Sequence, residues 1–313
     1  MKKNLIIIIA VFAFFNVMAQ SSSEVGKIAL SVIMPENVDG LDISQLSKME
    51  TKITQIVSNT GLAASGYNNN FVIYPKFAIY ETNVVEGGME NITVVTCELS
   101  LFIKQVDNNI LFSTISKPLK GSGKNKIIAI TNAISKIPTN DNDFKLFIET
   151  GKSKIIAYYE TKCSDIITKS ESLVKLQEYE QALGLLMTVP EEVSCYNKVQ
   201  VKSIEAYKAY QNQKCIIQLQ EAKTQLAANN YNDALNILSQ IDPSTPCFKE
   251  SQVLVGNAAA KVAAEEKKQW EFQMKVYSDN VALEKLRINA VKDIAVAYYK
   301  SKPTNVSYTY LIR

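Results

Sequence analysis

The chain reads as an α+β protein: a small N-terminal β-α-β-β-β-α unit, then an elongated array of long helical hairpins with a period of 52 residues. Three observations predict this. Strand-like and helix-like runs alternate as far as Pro138, after which helical spacing takes over. The segment 157–206 aligns without a gap onto 209–258, so that Cys163 and Cys195 recur as Cys215 and Cys247. Histidine is absent from all 313 residues, which removes imidazole acid–base chemistry, Ser-His-Asp or Cys-His nucleophiles and histidine metal ligands.

The first 20 residues carry an export address. Lys2 and Lys3 precede the apolar run Leu5–Phe15, and Val17-Met18-Ala19 ends at Gln20. This is the pattern of a secretory signal peptide over residues 1–19. The apolar run is too short to span a bilayer comfortably. No cysteine follows the junction, which argues against lipidation. Without Lys2 and Lys3, 32 basic residues face 31 acidic ones, so no electrostatic footprint for nucleic acid or an anionic membrane remains.

Residues 24–138 form the α/β unit. Lys27–Met34 is an apolar strand stopped by Pro35. Asp42–Asn59 has helical spacing at Ile43, Leu46, Met49, Ile53 and Ile56, and Gly61 stops it. Phe71–Val84 and Ile92–Val106 are strands, with a turn at Gly87-Gly88. Asp107-Asn108-Asn109 connects to a third strand, Ile110–Ile115. Gly121-Ser122-Gly123 reads as a flexible loop before the helix Lys126–Ile137. Its resemblance to a phosphate loop fails, because Pro118 stands where glycine is needed and Asn125 follows Lys124 where Ser or Thr is needed.

Residues 141–302 form the helical region. A long helix runs from Asp143 to Leu176, with Gly151 marking a bend. A short helix, Tyr179–Met187, follows, then a second long helix, Ser194–Ala228, and a short one, Tyr231–Gln240. A third long helix begins near Cys247. The polar run Asn140–Asp143 is the expected domain boundary. Residues 304–313 form a strand or tail, with Val306, Tyr308, Tyr310 and Ile312 on one face. A lone strand after a helical array leaves its backbone unpaired, so it is expected to pair with the sheet edge of residues 24–138, a neighbouring copy or a partner; the last two are favoured because the helical array carries this end away from residues 24–138.

The repeat cysteines are open to three uses: metal thiolates, free thiols or disulfides. Helix geometry selects the last. From Cys163 the chain climbs roughly 20 Å and returns to the same level at Cys195, and the same holds for Cys215 and Cys247. Cys195 and Cys215 sit about 30 Å apart on one predicted helix and cannot bond. Export permits the bonds. Cys97, between Val95 and Leu99, is a core position. The paired tyrosines Tyr158, Tyr159, Tyr207, Tyr210, Tyr298 and Tyr299 are packing residues between helices. Trp270 and Phe272 stand out in an otherwise charged stretch and, with Tyr308 and Tyr310, are candidate partner contacts.

Two resemblances bear on function. Glu178-Tyr179-Glu180-Gln181-Ala182-Leu183, ending at Pro190, and Asn230-Tyr231-Asn232-Asp233-Ala234-Leu235, ending at Pro243, resemble tetratricopeptide-like helical repeats. The period differs from that family's 34 residues. The resemblance implies a scaffold for protein partners and no chemistry. The opening strand and helix, with Gly121-Ser122-Gly123 leading into Ala129 and Ala133, resemble exported domains of the curli-secretion and penicillin-binding-protein-activator type. The leader, Lys-Lys with an Ile-rich core and an Ala-Gln junction, resembles signal peptides of Bacteroidota.

The expected function is therefore a non-enzymatic structural or interaction protein of the bacterial cell envelope. Its site is the periplasm, the periphery of the outer membrane or the cell exterior. Expected partners are envelope proteins or copies of itself; no nucleic acid, cofactor, metal or integral membrane span after signal removal is expected. The alternative is a periplasmic ligand-binding module using the α/β unit. A third class, a hydrolase acting through carboxylates, has no motif behind it.

Overall fold

The computed structural model describes residues 26–38, 40–64, 70–86, 90–262 and 283–301. The leader 1–19, Gly87-Gly88, Trp270, Phe272, Tyr308, Tyr310 and the segment 304–313 lie outside the described residues. The fold is α+β: a four-stranded sheet precedes a series of helices. Two compact units divide the chain. Among the described residues one holds those up to Lys162, Pro190–Ser194 and Lys300–Ser301, and the other Cys163–Val189 with Cys195–Tyr299.

The first unit follows the order β1 (Leu30–Val32), α1 (Ile43–Ser58), β2 (Phe71–Val85), β3 (Ile92–Gln105), β4 (Leu111–Gly123) and α2 (Lys126–Ser135). The strands lie in the order β1-β2-β3-β4. β1 is parallel to β2 over Leu30–Val32 with Phe71–Ile73, and the other pairs are antiparallel. β1 is shorter than the expected Lys27–Met34.

Alternation makes one face of β3 the core. Val95, Cys97, Leu99, Leu101 and Ile103 are fully buried. α1 and α2 supply Met49, Ile53 and Ile56 with Ile130, Ala133 and Ile134. Asp42 and Gln45 form a capping box at the start of α1, with Gln45 N–H on the Asp42 carboxylate at 2.8 Å and Asp42 N–H on Gln45 Oε1 at 3.0 Å. The Gln45 amide also donates to the Ile127 carbonyl and to Thr131 Oγ1, which ties α1 to α2.

Two sequence expectations in this unit are corrected. β4 does not stop at Ile115 but runs to Gly123, so Gly121-Ser122-Gly123 is strand, not loop. The glycines serve close approach: a Cβ at Gly121 would overlap the Ala129 carbonyl, and one at Gly123 would strike Ile128. Pro118 is tolerated because β4 is an edge strand. Asn125 is the N-cap of α2, accepting Ile128 N–H at 2.9 Å.

The helices that follow are α3 (Asn142–Lys175), α4 (Tyr179–Leu186), α5 (Tyr196–Ala227), α6 (Tyr231–Leu238), α7 (Phe248–Ala259) and α8 (Leu283–Ser301). Gly151 does not break α3. It lies over Ile103, where a Cβ would collide with the Ile103 side chain. Phe144, Phe147, Ile148, Ile155 and Tyr159 are buried along this part of α3. Tyr159 packs edge-on against Phe71 and accepts from Gln105 at 2.9 Å. Packing thus carries the first unit to Lys162, beyond the change of pattern at 140. α7 ends at Ala259 rather than continuing as a third long helix.

Candidate interaction site

The second unit realises the 52-residue repeat as two hairpins with matched local chemistry. Each long helix ends with the following residue pair in a Schellman turn. Gln177 and Asn229, one repeat apart, take positive φ of 65° and 62°. Glu178 N–H reaches the Leu173 carbonyl at 2.9 Å, and Asn230 N–H reaches that of Gln225 at 2.9 Å. Neither residue is glycine. Asn229 suits the left-handed region better than Gln177 does.

The short helices α4 and α6 then bury the repeat-identical residues Ala182/Ala234, Leu183/Leu235 and Leu186/Leu238. Tyr179 packs at a tilt, 5.7 Å between ring centres, against Tyr210, whose hydroxyl donates to Glu180 at 3.3 Å. Burial, then the Glu180 charge, pushes the Tyr210 phenol above its ordinary range.

Disulfides close both hairpins. Cys163 is joined to Cys195 and Cys215 to Cys247, with Cα–Cα distances of 6.6 and 6.4 Å. Cys195 and Cys247 are the N-cap residues of α5 and α7. The second bridge sits in a core of Leu219, Ala222, Leu235, Leu238, Val255 and Ala258. Ion pairs brace the long helices: Lys202 with Glu171 at 2.9 Å in the first hairpin, Lys223 with Glu250 at 2.6 Å in the second. Glu171, then Glu205, holds the Lys202 ammonium well above its usual range.

α8 completes this unit. Tyr298 lies over Gly184, and Val291 and Ala295 are buried. Arg287 faces Asp242 at 3.6 Å. Asp242 also accepts Ser244 N–H and Oγ–H at 2.8 and 2.7 Å. Burial, with Asp242 next, raises the Tyr207 phenol.

The described surface of the array carries apolar side chains that sequence reasoning did not separate from the core. Val201 and Val253 are one repeat apart, identical and exposed, as are the adjacent Ile216 and Ile217. Repeat identity marks equivalent positions; it does not say which of them pack inward. Tyr158 and Tyr159 belong to the first unit, where they cluster with Phe71 and Phe112.

In the first unit, β2 runs far beyond its short partner β1. From the register shift between Ile79 and Glu81 onward, its residues Tyr80–Val85 are exposed on both faces. Tyr80, Val84 and Val85 are 61%, 60% and 54% exposed. Ile92, opposite Val85, is also exposed.

Among the described residues no group of His, Cys, Asp or Glu could hold a metal ion. Cys97 is free and buried; burial pushes its thiol up to about 11, so it is protonated and inert at neutral pH. Lys124, the lysine of the failed phosphate loop, pairs with Glu90 at 3.1 Å. Among the described residues no helix is long and apolar enough to cross a membrane.

No family model matches the chain, and no curated protein matches it. Among solved structures, a minor lipoprotein from Acinetobacter baumannii is similar over 41% of this chain and 84% of that one, at 11% identity and a TM-score of 0.23. A likeness at that score carries no argument about fold or function.

Proposed function

We propose that this chain is an exported, non-enzymatic interaction protein of the bacterial cell envelope, a scaffold whose helical repeats present surface to protein partners. The observation that carries the reading is the duplicated hairpin, with its matched turns, buried small helices and two bridges. Repeat units of this kind bury their cores against neighbours and leave long outer faces for binding. The exposed Val201 and Val253, at the same position of both copies, are the surface candidates. The disulfides and the leader of residues 1–19 both favour an oxidising compartment outside the cytoplasm. The tetratricopeptide-like motifs and the Bacteroidota-like leader are consistent with such a protein. Gentle crosslinking in the native envelope, followed by affinity capture, tests the reading. A stable multiprotein complex, weakened by Val201→Glu with Val253→Glu, is the expected result. A co-purifying small molecule with no protein partner would replace the scaffold by a ligand-binding module.

A further inference from the structure

We propose that the outer edge of β2 over Tyr80–Val85 is a strand-addition site, and that its occupant is this chain's own segment Val306–Ile312. The proposal does not depend on the scaffold reading.

The edge is open by topology. On its inner side β2 pairs with β3 as far as Val85. On its outer side β1 reaches only Phe71–Ile73. In an antiparallel ladder about half of a strand's N–H and C=O groups point away from its partner. Over Tyr80–Val85 those outward groups meet no backbone partner among the described residues. Exposed edges are ordinarily blunted by lysine, proline or a bulge. Here Pro75 comes earlier in the strand and the register shift falls at Tyr80, the first residue of the edge, while Glu81–Val85 contains neither lysine, proline nor bulge. It instead exposes Tyr80, Val84 and Val85.

The occupant is argued from pattern, charge and tethering. Val306, Tyr308, Tyr310 and Ile312 alternate with Ser307, Thr309 and Leu311, the pattern of a strand about as long as the open edge. Residues 80–86 carry Glu81 and Glu86 and no basic residue, whereas residues 302–313 carry Lys302 and Arg313 and no acidic one. Opposite charges flanking a strand pair favour that pairing. A short strand supplies a few hydrogen bonds of about 1 kcal/mol each, too little to hold a free copy at micromolar concentration. A segment tethered within reach of the edge would meet it at an effective millimolar concentration. This open edge of opposite charge favours the chain's own sheet over the partner or neighbouring copy.

Hydrogen exchange on the full mature chain tests it. In the parent, the outward amides of residues 80–85 should be protected. Tyr308→Pro with Tyr310→Pro removes donors from the added strand. Those amides should then exchange at least about tenfold faster, while the amides facing β3 stay unchanged. Light scattering should report a monomer for both proteins. A synthetic peptide of residues 304–313, added at millimolar concentration, should restore protection to the variant. Three results overturn the proposal: outward amides already fast in the parent, which leaves the edge to another polypeptide; no change in the variant; or protection lost together with a dimer, which makes a second copy the occupant.

Discussion

Replacing Cys215 and Cys247 together by alanine should destabilise the helical unit by about 4–5 kcal/mol. The bridge closes a sequence separation of 32 residues. In the chain-entropy model, the closure entropy of 2.1 + 1.5R ln 32 is about 12.4 cal/mol/K, or about 3.7 kcal/mol at 298 K. Cys215 is 1% exposed within the hairpin core, and removing its sulfur leaves a small void costing about 1 kcal/mol more. The partner Cys247 is only partly buried and adds little. The Cys163–Cys195 bridge spans the same 32 residues, and Cys163 is buried too. Its removal should therefore cost the same within about 1 kcal/mol. Urea unfolding of the oxidised protein, followed by circular dichroism at 222 nm, reads both losses. A loss below about 1 kcal/mol for either pair would refute the argument, because it would mean that loop closure does not limit the unfolded chain.

Three further outcomes are expected. Gln177→Gly should stabilise the protein by about 0.5–1 kcal/mol, since residue 177 sits at φ 65°, while Asn229→Ala should destabilise it by a similar amount; equal urea midpoints for parent and variants would remove the strain argument. Cys97 has a folded-state thiol raised from 9.0 to about 11, so the folded state holds its proton longer. Its contribution is complete below pH 9 and is lost as pH climbs toward 11, by at most roughly 2–3 kcal/mol, and Cys97→Ala should flatten that part of a stability–pH profile. A fragment beginning at Asn140 should aggregate despite intact disulfides, because Phe144, Phe147, Ile148, Ile155 and Tyr159 lose the first unit's core; a soluble, cooperatively melting fragment would instead restore the boundary at 140.

The features legible in the order of residues alone are those that local spacing encodes. The 52-residue period placed Cys163 and Cys215, Ala182 and Ala234, and Leu186 and Leu238 at equivalent points of successive hairpins. Helical rise then selected the cysteine pairs, because residues 20 apart on one helix cannot meet. Cap and stop residues such as Asp42 and Gly61 placed α1 to within about a residue.

Tertiary structure alone decided the rest. Gly121 and Gly123 look like a loop in isolation, yet they are strand because they pair with β3, and they are glycine where α2 lies too close for a Cβ. Gly151 looks like a helix breaker, yet it lies in continuous helix, at a point where Ile103 leaves no room for a Cβ. The first unit reaches Lys162 because the face of α3 that carries Phe144 and Tyr159 is buried with the sheet. The exposure of Val201 and Val253, and the open outer edge of β2, likewise follow from which neighbours arrive. Periodicity and capping are properties of adjacent residues, whereas close approach, burial and strand pairing depend on segments far apart in the chain.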